Sequence, residues 1–258
     1  MKKLIKMTPI EAKQRSGERG NVLFLILIAV ALFAALSYAV TSSSRSGGND
    51  ANEETNLVNS STITQYPASL RTAMIRMQVS DAIDIDQMEF NEPADFANCL
   101  TVGVVGDHCV FHPDGGGATW VPGPAEVMAG GAQVDWVINA ENEIDGVGTT
   151  AGSNAPTTDT AEIIAFLPGI RRGICQKINE ELGIASASAD GIPVETADVN
   201  FATHRENSNG TTGGLPAFVA SGTTGTIDGS AGELVGQAFG CFQQPAGTFI
   251  YYHALIEQ

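Results

Sequence analysis

The chain has 258 residues, with 13 basic against 29 acidic side chains, a formal net charge of −16 and 29 glycines. That balance excludes nucleic acid and anionic lipid surfaces as partners held by bulk charge, because phosphate binding draws on clustered Lys and Arg. The length is enough for one adequate hydrophobic core, and the glycine content places much of the chain in turns and irregular loops.

Residues 1–20 form a basic leader in which Lys2, Lys3, Lys6, Lys13, Arg15 and Arg19 stand against Glu11 and Glu18. Beyond it the remaining residues hold seven basic and 27 acidic groups, a charge of about −20. From Val22 to Val40 the sequence VLFLILIAVALFAALSYAV carries no charge. At about 1.5 Å per residue a helix of that length extends about 28 Å, close to the roughly 30 Å of bilayer hydrocarbon. A transmembrane helix is therefore expected over 21–40. Basic residues beside a span stay cytoplasmic, which puts the N-terminus inside and residues 41–258 outside. The small residues Ser37 and Ala39 also fit the −3 and −1 positions of a secretory signal cut before Val40, and an uncleaved signal anchor fits as well.

A further reading comes from the letters around Gly20. The leader ends in Gly17-Glu18-Arg19-Gly20, the apolar run begins almost at once, and Thr41-Ser42-Ser43-Ser44-Arg45 follows it. This resembles the N-terminus of the type IV pilin and type II secretion pseudopilin superfamily. The resemblance implies that a prepilin peptidase cuts between Gly20 and Asn21 and that the apolar helix stays on the mature chain as anchor and filament core. It implies a single-pass inner-membrane protein, with its N-terminus cytoplasmic and its C-terminal domain periplasmic or extracellular. Its partners would be the membrane, the peptidase and other pilin-like subunits. The family usually has a glutamate as the fifth mature residue and Phe or Met as the first. Here those places are Leu25 and Asn21, a departure better matched by a minor subunit than by the bulk of a filament. The alternative function is an anchored or released envelope protein that binds a glycan, peptide or ion.

Residues 41–50, with Ser42 to Ser44 and Gly47-Gly48-Asn49-Asp50, read as a linker or hinge. Residues 51–258 then form the globular domain. Pro67 suits the first turn of a helix, and Leu70, Ala73, Met74 and Met77 recur at the spacing of one buried face. Short strands are expected at Cys109–Phe111 and Ala118–Val121, flanking the turn Pro113-Asp114-Gly115-Gly116-Gly117, and again from Val134 to Asn139. Ile163–Leu167 reads as a buried strand. Pro168 would open a helix lined by Ile170, Ile174, Ile178 and Leu182 and capped by Gly183. Phe249–Ile256 is the strongest strand. Gly/Thr/Ser/Asn-rich loops fill 145–160 and 205–232. The fold class expected is α+β, an N-terminal transmembrane helix followed by one disulfide-containing globular domain with an antiparallel sheet.

Four cysteines, Cys99, Cys109, Cys175 and Cys241, allow three pairings, and an even count in an exported domain favours disulfides. Cys99 and Cys109 are close in sequence, and pairing them leaves Cys175 for Cys241. No C-x-x-C is present, and the spacing of His108, Cys109 and His112 is too loose for a metal site, so no metal or cofactor is expected. Acidic groups crowd at Asp81, Asp84, Asp86 and Glu89 and at Glu141, Glu143 and Asp145. Neither set has the spacing of a calcium loop, and both read as solvated faces. The chain lacks G-x-S-x-G, G-x-x-x-x-G-K-[ST] and H-E-x-x-H, so no catalytic residues are assigned and no enzyme is expected.

Overall fold

The computed structural model describes residues 19–99, 106–148, 161–196, 199–202, 204 and 225–257. The chain divides into two compact units, Met1–Asn52 and Glu53–Gln258. Helix α1 is assigned over Arg19–Ser80, a length of 62 residues. Its first part belongs to the first unit and its last part to the second. Most of the leader, residues 1–18, and most of the two Gly-rich loops lie outside the described residues.

Two expectations about the helix need correction. First, among the described residues no helix is long and apolar enough to cross a membrane. Helix α1 runs on through polar Thr41–Arg45 instead of ending there. The transmembrane segment over 21–40, the single-pass inner-membrane placement and the outward-facing domain deduced from it are therefore not supported. Second, α1 continues through Gly47-Gly48, and Pro67 lies inside it rather than at a helix start. Pro67 removes one backbone donor. Tertiary burial offsets that loss, because Ile63, Leu70, Met74 and Met77 on either side of it are all at most 1% exposed.

In the Glu53–Gln258 unit, β1 (Val137–Ile144), β2 (Glu162–Pro168), β3 (Gly225–Ile227), β4 (Phe239–Gln243) and β5 (Phe249–Ile256) form one sheet in the order β3-β1-β2-β5-β4. The β1–β2, β2–β5 and β5–β4 pairs are antiparallel, while β3 lies parallel to β1. The sheet is thus mixed, not antiparallel throughout. A parallel neighbour needs a long crossover, and the chain between β1 and β3 supplies one. The α+β class itself describes this unit. Successive residues of β2 alternate between two cores: Ile163, Ala165 and Leu167 join Met74, Ile174 and Tyr251, while Ile164 and Phe166 join Phe242, Ile250 and Tyr252. Both faces of the central strands are covered, so their sequence reads as a continuous apolar run.

Helix α2 covers Arg172–Leu182 and ends on Gly183 at φ 72°, whose N–H bonds back to the carbonyls of Asn179 and Glu180. Glycine reaches that left-handed conformation without a Cβ clash. Pro168 closes β2 instead of opening α2, and Arg171 takes the N-cap position. The segments around Cys109 and Ala118 are turns and irregular chain. Ala118 N–H donates to Val110 O at 3.0 Å, and Glu89 and Cys109 form an isolated bridge.

Cys99 is bonded to Cys109 and Cys175 to Cys241. The second bridge ties α2 to the outer strand β4. Beside it the Asn179 side chain donates to Cys241 O at 2.9 Å and accepts from Cys241 N–H at 3.0 Å, closing the hydrogen bonds that the edge of β4 would otherwise leave open. This bridge spans a separation of 66 residues, for which loop entropy gives about 4 kcal/mol. Changing Cys241→Ser is expected to lower the denaturant-unfolding free energy of the oxidised protein by that order, and an unchanged midpoint would remove the staple role.

Candidate functional site

In the first unit, the large apolar side chains from Val22 to Leu36 are 38–73% exposed. They face every side of the helix rather than one stripe, and no charged residue interrupts them. The small residues Ala29, Ala31, Ala34 and Ala35 lie among them, where they permit close approach of another backbone. A helix apolar all round normally has its whole circumference covered. Among the described residues, these side chains meet no such cover. Gly20 and Asn21, the expected processing junction, fall in the first turn of α1.

Within the second unit, a shallow groove of about 580 Å³ lies between Tyr66, Thr72 and Arg76 on α1 and the segment Gly116–Val121. Two of its polar side chains are already engaged. Arg76 donates to the carbonyls of Gly115 and Gly116, and Val121 N–H donates to the Tyr66 hydroxyl at 3.3 Å. Burial pushes the Tyr66 hydroxyl up to about 12, so it stays protonated. Gly116 is required here, since a Cβ would come within 2.2 Å of Val110 O. The groove is a braced wall whose one cation, Arg76, is held by its own chain.

The expected acidic faces divide. Asp81 and Asp84 are exposed, but Glu89 is 1% exposed beside the Cys99–Cys109 bridge. Glu141, Asn142 and Glu143 lie in β1, at a bulge organised by Asn139, Asn142 and Asn200. Asn142 donates to Asn200 O at 2.8 Å and accepts from Asn200 N–H at 2.7 Å, and Asn139 also donates to Asn200 O. Asn200 in turn bonds Glu141. These polar side chains fasten the 199–202 segment to the sheet. Of the acids expected on a solvated face, Glu141 is thus engaged by Asn200 and Glu143 is buried.

Glu162 was not singled out by sequence, yet it is the most perturbed acid described. It is fully buried opposite Asn142; Oε2 accepts from Ile144 N–H at 2.8 Å, while Oε1 has no hydrogen-bond partner among the described residues. Burial pushes its carboxyl up to about 7; the charges of Glu143 and Glu257 push the same way, against the backbone N–H bonds. Burial raises Glu143 and Asp228 too, and the neighbouring Asp145 charge adds to both. The clue in sequence is an ionisable residue placed directly before the apolar run Ile163–Leu167.

The histidines do not converge. His108 donates from Nδ1 to Gln87 O at 3.2 Å, and His112 accepts from Asp114 N–H while packing edge-on to Phe96. His204 accepts from Ile138 N–H through Nδ1 and donates to Phe90 O through Nε2, a clip between distant segments. His253 stacks on Phe239 and meets the Tyr251 hydroxyl at 2.7 Å. Burial, with the Arg71 charge adding to it, lowers His253 to about 4 and keeps it neutral.

Compared with protein-family models, curated proteins and solved structures, the chain matches none of them. The functional reading therefore rests on the geometry above.

A pH dependence follows from Glu162. Its folded pKa of about 7 lies above the ordinary 4.5, so between those values the native state holds a proton that the unfolded chain has released. Stability is then greatest below about pH 4.5, as far as this group is concerned, and falls as pH rises through about 7. Denaturant unfolding between pH 5 and 8 is expected to show that decline, and Glu162→Gln to flatten it; equal slopes in both proteins would exclude Glu162 as its source.

Proposed function

We propose that this chain is a structural subunit that assembles with other helices of its own kind through the apolar part of α1, as a minor pilin- or pseudopilin-like component. The observation that carries this reading is the row of side chains from Val22 to Leu36, apolar on every side and exposed. A contiguous apolar surface of that kind marks an interaction site. Other uncharged helices fit it best, because a polar partner would bury unpaired groups against it. Helices that meet without hydrogen bonds or ion pairs associate through close packing, and the alanines at 29, 31, 34 and 35 favour it.

Leu25 bears on the position within an assembly. An acid there would offer a neighbouring helix a charge partner and so fix its register; leucine offers packing alone. A subunit with that substitution suits an end or a minority position, where no regular repeat must be enforced. The resemblance around Gly20 adds a peptidase as processing partner, with Asn21 as the first residue of the mature chain.

A second reading, a module that binds a small ligand in the groove by Tyr66, has less support. Arg76 is the groove's natural hand for an anion, and both carbonyls it grips belong to its own chain. The assembly reading uses a surface that is otherwise uncovered, whereas the binding reading asks satisfied groups to let go.

The test begins with the intact mass and N-terminal residue of the protein isolated from its native cells. Asn21 as the first residue, together with photo-crosslinks from position 33 to other subunits with apolar N-terminal helices, is expected. An N-terminus at Met1 or Val40, or crosslinks to no such subunit, would discard the proposal. Leu27→Glu is expected to abolish those crosslinks while leaving the unfolding curve of the Glu53–Gln258 unit unchanged.

A further inference from the structure

At the corner of the sheet where β1 and β3 end, a side chain takes over from the backbone ladder. The register between β1 and β2 ends with Asn142 opposite Glu162, two residues before the end of β1 at Ile144. Ile144 N–H meets β2 through the Glu162 carboxyl instead, donating to Oε2 at 2.8 Å. On its other side this part of β1 carries β3, which is three residues long and lies at the edge of the sheet. Asp145 N–H donates to Ile227 O at 3.1 Å, and Gly236 N–H donates to Asp145 O at 2.6 Å. β3 and the chain around Gly236 thus hang on the stretch of β1 that Glu162 fastens.

The fastening suits a neutral carboxyl. Glu162 is 0% exposed, and its Oε1 has no hydrogen-bond partner among the described residues. An ionised carboxylate in that place would hold charge on an oxygen that neither water nor a donor reaches, which is costly in the interior. The charged groups around it oppose ionisation as well. Glu143 on β1 and Glu257 just after β5 act on it directly. Asp145 beyond β1 acts on Glu143, and Asp145 and Glu233 act on Asp228 after β3, so acids stand on each strand at this corner. Arg71 on α1 faces Glu257, with which it is paired at 3.0 Å.

We propose that Glu162 is a proton-operated latch: protonated, it holds the end of β1, and β3 with it, against the sheet; ionised, it lets that corner open to water while the central strands stay closed. The proton leaves Glu162 for solvent as the corner opens, and water reaches the freed Oε1. A short edge strand can open in this way without the rest of the unit, because local opening costs less than global unfolding. β2 and β5, covered on both faces, do not share in it. The direction follows from the closed form, in which burial raises the Glu162 carboxyl to about 7 from the ordinary 4.5. Opening therefore becomes easier as pH rises between those values and levels off above the higher one. The latch is independent of how α1 assembles and survives the failure of that reading.

The experiment is hydrogen exchange of the full chain, read by mass spectrometry between pH 5 and 8 and corrected for the intrinsic pH dependence of exchange. Peptides covering 142–147 and 225–236 are expected to lose protection about tenfold or more across that range. At pH 8 they are expected to exchange about a hundredfold faster than peptides covering 163–167 and 250–256, the mark of a corner that opens alone. Glu162→Gln keeps an acceptor for Ile144 N–H without the charge and is expected to hold the corner's protection level. Glu257 is exposed; Glu257→Gln removes a negative charge that acts on Glu162 and frees Arg71, so it is expected to shrink the loss. No loss with pH, an unchanged loss in Glu162→Gln, or equal exchange at corner and centre would each overturn the proposal. If Glu162→Gln does not fold, Glu257→Gln decides, and an unchanged loss there overturns it.

Discussion

Burial on both faces of β2 and β5 is the constraint from which the rest of the Glu53–Gln258 unit follows. Ile163, Ile164, Ala165, Phe166 and Leu167 are all fully buried in consecutive positions, which requires a layer on each side of the sheet. One layer gathers Met74 and Leu70 from α1 with Ile174 and Ile178 from α2; the other gathers Ile227 from the short strand β3 with Val199 and Leu234 from irregular chain. That second layer has little regular structure to hold it, so polar side chains fix it instead. Asn142 and Asn139 hold Asn200, and Glu195 accepts from Gly229 N–H at 2.9 Å. The buried polar groups are the fasteners that a loop-built layer needs.

The same constraint explains the edges. β4 is an outer strand, and an open strand edge invites pairing with other chains. Here the edge is closed from within: Asn179 bonds both backbone groups of Cys241, Gln243 N–H donates to Pro193 O, and Glu195 N–H donates to Gln243 O. The Cys175–Cys241 bridge is the covalent counterpart of that closure. At the β1 end of the sheet, by contrast, acids accumulate. Glu143, Glu162 and Asp228 all titrate higher than usual because burial disfavours ionisation, and neighbouring charges add to it: Asp145 for Glu143 and Asp228, Glu143 and Glu257 for Glu162.

The elements legible in sequence were those whose signal is local. The buried run at 163–167, the C-terminal strand and the i, i+3, i+4 stripe at Leu70, Ala73, Met74 and Met77 each carry their own pattern, and Gly183 marks its cap through a φ that glycine favours. What stayed hidden depends on distant partners. β1 extends past Asn139 through Ala140-Glu141-Asn142, a polar stretch that reads as a loop until Asn200 arrives to satisfy it. α1 crosses Gly47-Gly48 and Pro67, which both read as breaks; at Pro67 the burial of Ile63, Leu70 and Met74 overrides the local propensity. Hydropathy counted over Val22–Val40 points to a span, whereas the helix in which those residues sit is far longer and polar beyond them. In the candidate sites, the exposed apolar row was visible at once, while the burial of Glu162, and of Glu89 within an acidic group that reads as solvated, was not, since burial of a single acid has no local signature.

Taken together, the two units present opposite solutions to apolar surface. In the Glu53–Gln258 unit nearly every large apolar residue of the strands is fully buried, and even its acids and amides are drawn into the interior. In the Met1–Asn52 unit the apolar residues of α1 are left uncovered along four turns. A chain whose sequence can bury Trp136, Tyr251 and Phe166 completely has no general difficulty in covering apolar surface, so the exposure of Val22 to Leu36 is not a failure of folding economy but a property of that segment. The uniform lack of charge there also removes any preferred face, which allows neighbours on several sides at once. One apolar stripe would leave a single face to cover, whereas an apolar circumference leaves every face, and it is on this feature of the helix, more than on the folded unit, that the proposed assembly rests.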